Sequence, residues 1–301
     1  MRILNFGSLN IDKVYSVDHF VRAGETILCN DMNIFCGGKG LNQSIALARA
    51  GAEVYHAGAI GTDGEMLREQ LQQSGVHLDY LRTLDMPSGH TALQVQPDGQ
   101  NCIIVCAGSN ACFTEDYIDR VLTDFGPGDV MLVQNEVNNV PYMMRQAHAR
   151  GLRIAFNASP ISSAMLSYPL ELVDYYLVNE VEGRAISGCD STDYDAILAS
   201  LHQKYPQATV ILTVGSDGVL YQHGNELLRH GIYRVKAVDT TGAGDTFCGF
   251  FLACLAKGLN AARALEMASL ASAISVSHPG AAASIPTWED VQAFAKTAQL
   301  R

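Results

Sequence analysis

Positive charge is scarce in this chain of 301 residues: 20 Lys plus Arg stand against 31 Asp plus Glu, a formal net charge of −11. An acidic surface repels phosphate backbones and anionic lipids, which argues against nucleic acid and membrane as partners. Any anionic ligand must be held by a local feature acting against the global field. No run of about 18 uninterrupted apolar residues occurs, so no transmembrane helix is expected. The opening Met1-Arg2-Ile3-Leu4-Asn5-Phe6-Gly7 reads as a strand. It lacks the basic region, long apolar run and cleavage site of a secretory signal, so a cytoplasmic protein is expected. Metal-type and redox-type cysteine spacing is missing too. None of the eight cysteines stands in a C-x-x-C pair, so reduced thiols acting as small apolar side chains are expected.

What is present is a soluble globular composition, 48% apolar and 17% charged, long enough for a sizeable core in a single large domain. Strand-like runs alternate with segments of helical period. Ile3–Gly7, Val54–Ala59, Val130–Gln134, Arg153–Asn157, Tyr175–Val178 and Val210–Val214 read as strands. Lys39–Ala50 reads as a helix, and Thr62-Asp63-Gly64-Glu65 reads as a capping box opening another. The last third is mostly helical. Repeated strand–helix units predict an α/β fold, a mostly parallel sheet with helices on both faces. Ligands of such sheets bind beyond the carboxyl ends of the strands. Two segments break the rhythm. Residues 12–36 hold short β-type runs around Gly24, and residues 88–108 hold a hairpin pattern with Pro97-Asp98-Gly99 at its turn. Together they predict a small sheet outside the main layer.

The sharpest chemical signal is Asp239-Thr240-Thr241-Gly242-Ala243-Gly244-Asp245. Phe247, Phe250, Phe251, Cys254 and Leu255 follow at i, i+3, i+4, i+7 and i+8, so a helix begins near Asp245. Gly242, Ala243 and Gly244 then lie at a helix N-terminus, where backbone N–H groups and about half a positive charge from the helix dipole can hold an anion. A carboxylate beside an anion hole repels the anion unless it has other work. Asp245 makes sense as the base for a hydroxyl that attacks a bound phosphorus. An ordinary glycine-rich turn is the competing account of these residues.

Three further stretches carry polar groups at strand ends. In Cys36-Gly37-Gly38-Lys39-Gly40-Leu41-Asn42-Gln43, Lys39 and Asn42 share a helix face and suit hydroxyl recognition. The run is not a Walker A motif, because Gly40 stands where that motif needs Ser or Thr. Asn10 and Asp12, after the first strand, share one side of an extended chain, and a carboxylate can accept from two adjacent hydroxyls. Asn179 and Glu182 stand three apart at a helix start, where they suit either magnesium or a plain helix cap.

As a set, these residues resemble the ribokinase-like, or PfkB, family of carbohydrate kinases. Gly37-Gly38-Lys39-Gly40-Leu41-Asn42-Gln43 and Asp239–Phe247 match its two signatures, and the likeness runs in order along the chain. The resemblance implies a three-layer α/β/α core with a β-sheet lid over the sugar. It implies Asp245 as catalytic base and Gly242, Ala243 and Gly244 as the anion hole. Asn10, Asp12, Gly38, Lys39, Asn42 and Glu136 would bind sugar hydroxyls. Asn179, Thr213, Gly215 and Gly218 would bind ATP, with Glu182 holding magnesium through water. Asp239, Thr241, Ser275, Gly280 and Ser284 match a loop region that holds a monovalent cation, usually potassium, several of them through backbone carbonyls. His278-Pro279 departs from the more basic pair common there. A homodimer through the lid is also implied.

Relatives acting on phosphorylated sugars carry basic residues in the lid, yet no Lys or Arg occurs from Thr83 to Asp119. A neutral substrate is therefore expected, ribose first, phosphorylated on its 5-hydroxyl. Deoxyribose, fructose, adenosine and pseudouridine are the alternatives; residues 90–112 contain no Phe, Tyr or Trp to stack a base. A dinucleotide-binding oxidoreductase is excluded, because Phe247 occupies the last glycine position of G-x-G-x-x-G. A sugar- or nucleotide-binding regulator on the same fold would have lost Asp245 or the glycine hole, and both are intact.

Overall fold

The computed structural model describes residues 1–301. In chain order the strands are β1 (Ile3–Phe6), β2 (Asn10–Ser16), β3 (Asp31–Gly37), β4 (Val54–Ile60), β5 (Leu81–Thr83), β6 (Gly89–Val95), β7 (Asn101–Cys106), β8 (Val130–Gln134), β9 (Arg153–Asn157), β10 (Tyr175–Asn179), β11 (Thr209–Thr213), β12 (Val219–His223) and β13 (Glu226–His230). The helices are α1 (Lys39–Arg49), α2 (Glu65–Gln73), α3 (Glu115–Leu122), α4 (Val140–Ala149), α5 (Glu180–Ser187), α6 (Tyr194–Lys204), α7 (Ala243–Ala256), α8 (Ala261–Val276), α9 (Ala281–Ser284) and α10 (Trp288–Ala295).

Nine strands form the main sheet in the order β13-β12-β11-β10-β9-β8-β1-β4-β5. All pairs are parallel except β11–β12 and β12–β13. This antiparallel edge follows from short connections: tight turns at 214–218 and 224–225 leave no room for a crossover helix. Alternation along the strands sorts the core into two layers. Ile3, Val130, Leu132 and Ile211 join the layer packed on α1, α7 and α8, whereas Leu4, Met131, Val133, Val210 and Leu212 join the layer packed on α3, α4 and α6. The inner strands are buried on both faces, which is why these runs read as continuously apolar, whereas the edge strands β5 and β13 are partly open to solvent.

Residues 10–37 and 89–106 build one separate four-stranded sheet, order β3-β2-β6-β7. Its central pair β2–β6 is parallel and its outer pairs are antiparallel. Its two halves enter from the ends of β1 and β5. Ile103, Ile104 and Val105 on β7 and Met32, Ile34 and Phe35 on β3 are exposed.

The expected capping box at Thr62 is corrected by the structure. Gly64 caps α2, with no side-chain cap bond. The Thr62 amide donates to the Met86 carbonyl at 3.2 Å, and Asp63 Oδ1 accepts from the Ser88 amide at 2.8 Å. These residues tether the strand end to the 86–88 segment instead of the helix. No helix is long and apolar enough to cross a membrane.

Candidate active site

β1 connects to the small sheet and then to β4 on one side, while β8 lies on its other side, so the order of the main sheet reverses between β1 and β8. Such a reversal opens a crevice at the carboxyl ends of the strands. Ser8, just beyond β1, and Glu136, just beyond β8, meet across it: the Ser8 hydroxyl donates to Glu136 Oε2. The same oxygen accepts from the Lys39 amide at 3.0 Å. Burial pushes the Glu136 carboxyl up, and Ser8 and Lys39 offset part of that shift.

The glycines of the first signature let these segments converge. A Cβ on Gly40 would lie 2.3 Å from the Ser8 nitrogen, and one on Gly37 would lie 1.8 Å from Asp12 Oδ2. Gly38 caps α1 at φ +94°, a region that L side chains rarely adopt. Asp12 therefore sits against the backbone of Gly37, and Asn10 pairs with Gly37 in the β2–β3 register. Burial raises the Asp12 carboxyl, while a 2.6 Å bond from Thr91 Oγ1 opposes that shift.

Gly242 caps α7 in the left-handed region at φ +76°, which places Asp245 in the first turn. The Ala243 amide donates to the Thr240 carbonyl at 3.3 Å. Asp245 is buried and faces α1. Asn42 Nδ2 donates to its Oδ2 at 3.0 Å, Gln43 Nε2 donates to its Oδ1 at 2.8 Å, and Lys39 Nζ lies 3.9 Å from Oδ1. The Asp245 carboxylate is the main influence on Lys39, raising its ammonium above the ordinary lysine range. The two signatures thus meet at one carboxylate, though 203 residues separate Asn42 from Asp245.

A cleft of about 840 Å³ runs between the β11–β12 turn and the start of α7. Thr213, Gly215, Gly218 and Asn179 line it from the sheet side, and Ala243 and Gly244 from the helix side; Tyr233, Arg234 and Arg301 stand along its walls. A smaller chamber of about 90 Å³ adjoins it and contains Lys39, Glu182 and Asp245. Asn179, Thr213, Gly244 and Phe247 line both, so the cleft opens onto the carboxylate. Asn179 and Glu182 also form a reciprocal cap of α5. Asn179 Oδ1 accepts from the Glu182 amide at 2.9 Å, and Glu182 Oε2 accepts from the Asn179 amide at 3.0 Å. Burial raises the Glu182 carboxyl.

Asp239, Thr241, Ser275, Gly280 and Ser284 come together behind the α7 turn. The Asp239 carboxylate accepts from the amides of Thr241 and Gly280, both at 2.9 Å. Burial works against its ionisation, but these bonds prevail and hold it below the usual carboxylate range. Ser275 Oγ and Ser284 Oγ bond to each other at 2.8 Å.

Several participants are absent from the sequence reading. Gln43 carries a signal that spacing offers: 39, 42 and 43 stand at i, i+3 and i+4, one helix face. Thr91 is the register partner of Asp12 in β2–β6. Asn110 follows the small sheet, and its Nδ2 donates to Asn10 Oδ1 at 2.8 Å. No local pattern marks Thr91 or Asn110, because each acts through long-range pairing.

A family model for pfkB family carbohydrate kinases matches residues 2–288. The ribokinase of Haemophilus influenzae is 31% identical over 296 residues, covering 96% of each chain. The structure of Cryptococcus neoformans ribokinase in complex with ADP shares 32% identity with a TM-score of 0.84, over 97% of this chain and 99% of the other. Arabidopsis thaliana ribokinase complexed with ribose and ATP shares 26% identity with a TM-score of 0.86, over 98% of each.

Proposed function

The chain belongs to the pfkB family of carbohydrate kinases, and from that premise we propose that it transfers the γ-phosphate of ATP to the 5-hydroxyl of ribose. The observation that carries this reading is the position of Asp245, in the first turn of α7, in a chamber that opens into the large cleft and faces Lys39 and Asn42. ATP lies in that cleft with its terminal phosphate toward the α7 turn. The sugar lies between the small sheet and α1, against Asn10, Asp12, Lys39 and Glu136.

Asp245 takes the proton as the hydroxyl oxygen bonds to the γ-phosphorus and the bond to the β,γ-bridging oxygen breaks, releasing ADP. The transition state is loose, so orienting the hydroxyl matters more than basicity. Lys39 and the free amides at the α7 N-terminus stabilise charge on the phosphoryl oxygens. The small sheet acts as a lid that excludes water from the transfer.

No group of three His, Cys, Asp or Glu side chains stands together to cage a metal ion. That donor set fits magnesium carried chiefly by the ATP phosphates, with Glu182 reached through water. When bound, magnesium neutralises charge on the phosphates. The oxygen-rich loop at Asp239, Thr241, Ser275, Gly280 and Ser284 fits a monovalent cation such as potassium. Because both Asp239 oxygens hold backbone amides, backbone carbonyls are its natural donors. The exposed apolar residues of β3 and β7 support a homodimer that packs lid on lid.

The test is ADP release with magnesium-ATP across ribose, deoxyribose, fructose, adenosine and pseudouridine, each in potassium and in sodium. Ribose-dependent turnover, higher in potassium, is expected. Turnover with another compound alone would reassign the substrate and keep the chemistry of Asp245.

A further inference from the structure

Asp245 is held from beneath by a chain of polar side chains buried in the core. Gln43 donates to Asp245 Oδ1 at 2.8 Å; Gln43 Oε1 accepts from Gln134 Nε2 at 2.7 Å; Gln134 Nε2 also donates to Asn5 Oδ1 at 2.9 Å. Asn5 Nδ2 then donates to the Gly40 carbonyl and to Ser44 Oγ, which bonds His56 Nδ1 at 2.8 Å. Asn5, Gln43, Ser44 and His56 are 0% exposed and Gln134 is 1% exposed. Burying this many polar groups is costly unless each amide has a fixed orientation. Here the orientation is forced. A carboxylate oxygen only accepts, so Asp245 draws the NH₂ of Gln43 and turns the Gln43 carbonyl to Gln134 Nε2; that nitrogen also reaches Asn5 Oδ1, and Gln134 Oε1 is left without a partner.

We propose that Gln43, oriented by Gln134 and Asn5, is a positioning residue that fixes the Asp245 carboxylate for proton abstraction. This rests on the reading of Asp245 as the base. Asn42 approaches the other carboxylate oxygen, so the two amides together set the rotation of the carboxylate plane. Lys39 at 3.9 Å supplies charge without that angular constraint. The role differs from sugar recognition, because Gln43 and Gln134 are wholly inside the core.

The experiment compares Gln43→Met, Gln134→Met and Asp245→Asn in the full chain, with kcat expressed per nucleotide-binding site counted by calorimetry. Met keeps the volume of Gln and removes its donors. Gln43→Met is expected to lower kcat roughly 10- to 100-fold, the scale of a misplaced catalytic group. The KM values for sugar and ATP should stay within about threefold, as expected for an interaction used only in the transition state. Gln134→Met is expected to give the same pattern with a smaller loss, since it touches no reacting group. Normal kcat per site in Gln43→Met beside an inactive Asp245→Asn would overturn the proposal and leave the base in place. So would a lowered melting temperature with kcat per site intact, which marks a purely structural residue. An active Asp245→Asn would instead overturn the reading of the base itself.

Discussion

Asp12 and Thr91 are register partners on parallel strands from the two separate insertions, and Thr91 Oγ1 donates to Asp12 Oδ1 at 2.6 Å. The bond joins the two halves of the small sheet at the residue proposed to take the sugar hydroxyls. It also opposes the burial that pushes the Asp12 carboxyl upward.

Thr91→Val removes the donor and keeps the β-branched shape. A hydrogen bond to a charged group contributes about 1.5–3 kcal/mol, so the sugar KM should rise by about tenfold or more with kcat little changed. The sign with pH follows from the raised carboxyl. Protonation removes an acceptor, so sugar affinity falls as pH falls, and in Thr91→Val that fall should begin at higher pH. Sugar titrations across pH check both; unchanged affinity would remove Asp12 from the sugar site.

Asp245→Asn keeps shape and loses the proton acceptor. General-base contributions are about 10²- to 10⁴-fold, so turnover should drop by that order while sugar binding, read by calorimetry, changes by only a few fold. Near-normal turnover would end the assignment.

His56 makes stability depend on pH. Burial pushes its imidazole down to about 4 from an ordinary value of 6.5. Between those values the unfolded chain binds the proton and the folded chain does not. Stability is therefore complete above about 6.5, is lost as pH falls toward 4, and loses no more from this group below that; the full effect is about 3 kcal/mol. Denaturant unfolding at pH 7 and pH 4.5 measures it. His56→Gln should flatten the dependence, and an unaltered slope would assign it to other groups.

Gly40→Ala should destabilise the fold directly. The added methyl would lie 2.3 Å from the Ser8 nitrogen and 2.4 Å from Gly7. Backbone cannot yield as a side chain does, so a cost of about 1–3 kcal/mol or more is expected, with a lower melting temperature. An unshifted melting curve would show that β1 and α1 can separate without penalty.

Much of this was legible in the chain itself. Strands such as Val130–Gln134 stand where their apolar runs predicted, because parallel strands are buried on both faces. Lys39, Asn42 and Asp245 were legible because a helix N-terminus imposes strict spacing on small and charged residues. The antiparallel edge β12–β13 was not read, since two short strands after a glycine turn leave no periodic trace. Thr62 misled for the opposite reason: a capping pattern was present, but contacts with residues 86–88 outcompeted it. Gln43 shares the helix face of Lys39 and Asn42 and was legible by that spacing, whereas Gln134 and Asn5 escaped because their partners are distant in sequence and only the packed sheet brings them together.

Strand β3 ends at Gly37 and helix α1 begins at Lys39, so the whole connection between the small sheet and the helix facing Asp245 is one residue, Gly38. A linker of several residues would absorb a tilt of the sheet. A single glycine transmits it. The end of β3 and the helix that carries Lys39, Asn42 and Gln43 are therefore joined without slack, one residue from the groups that face the Asp245 carboxylate.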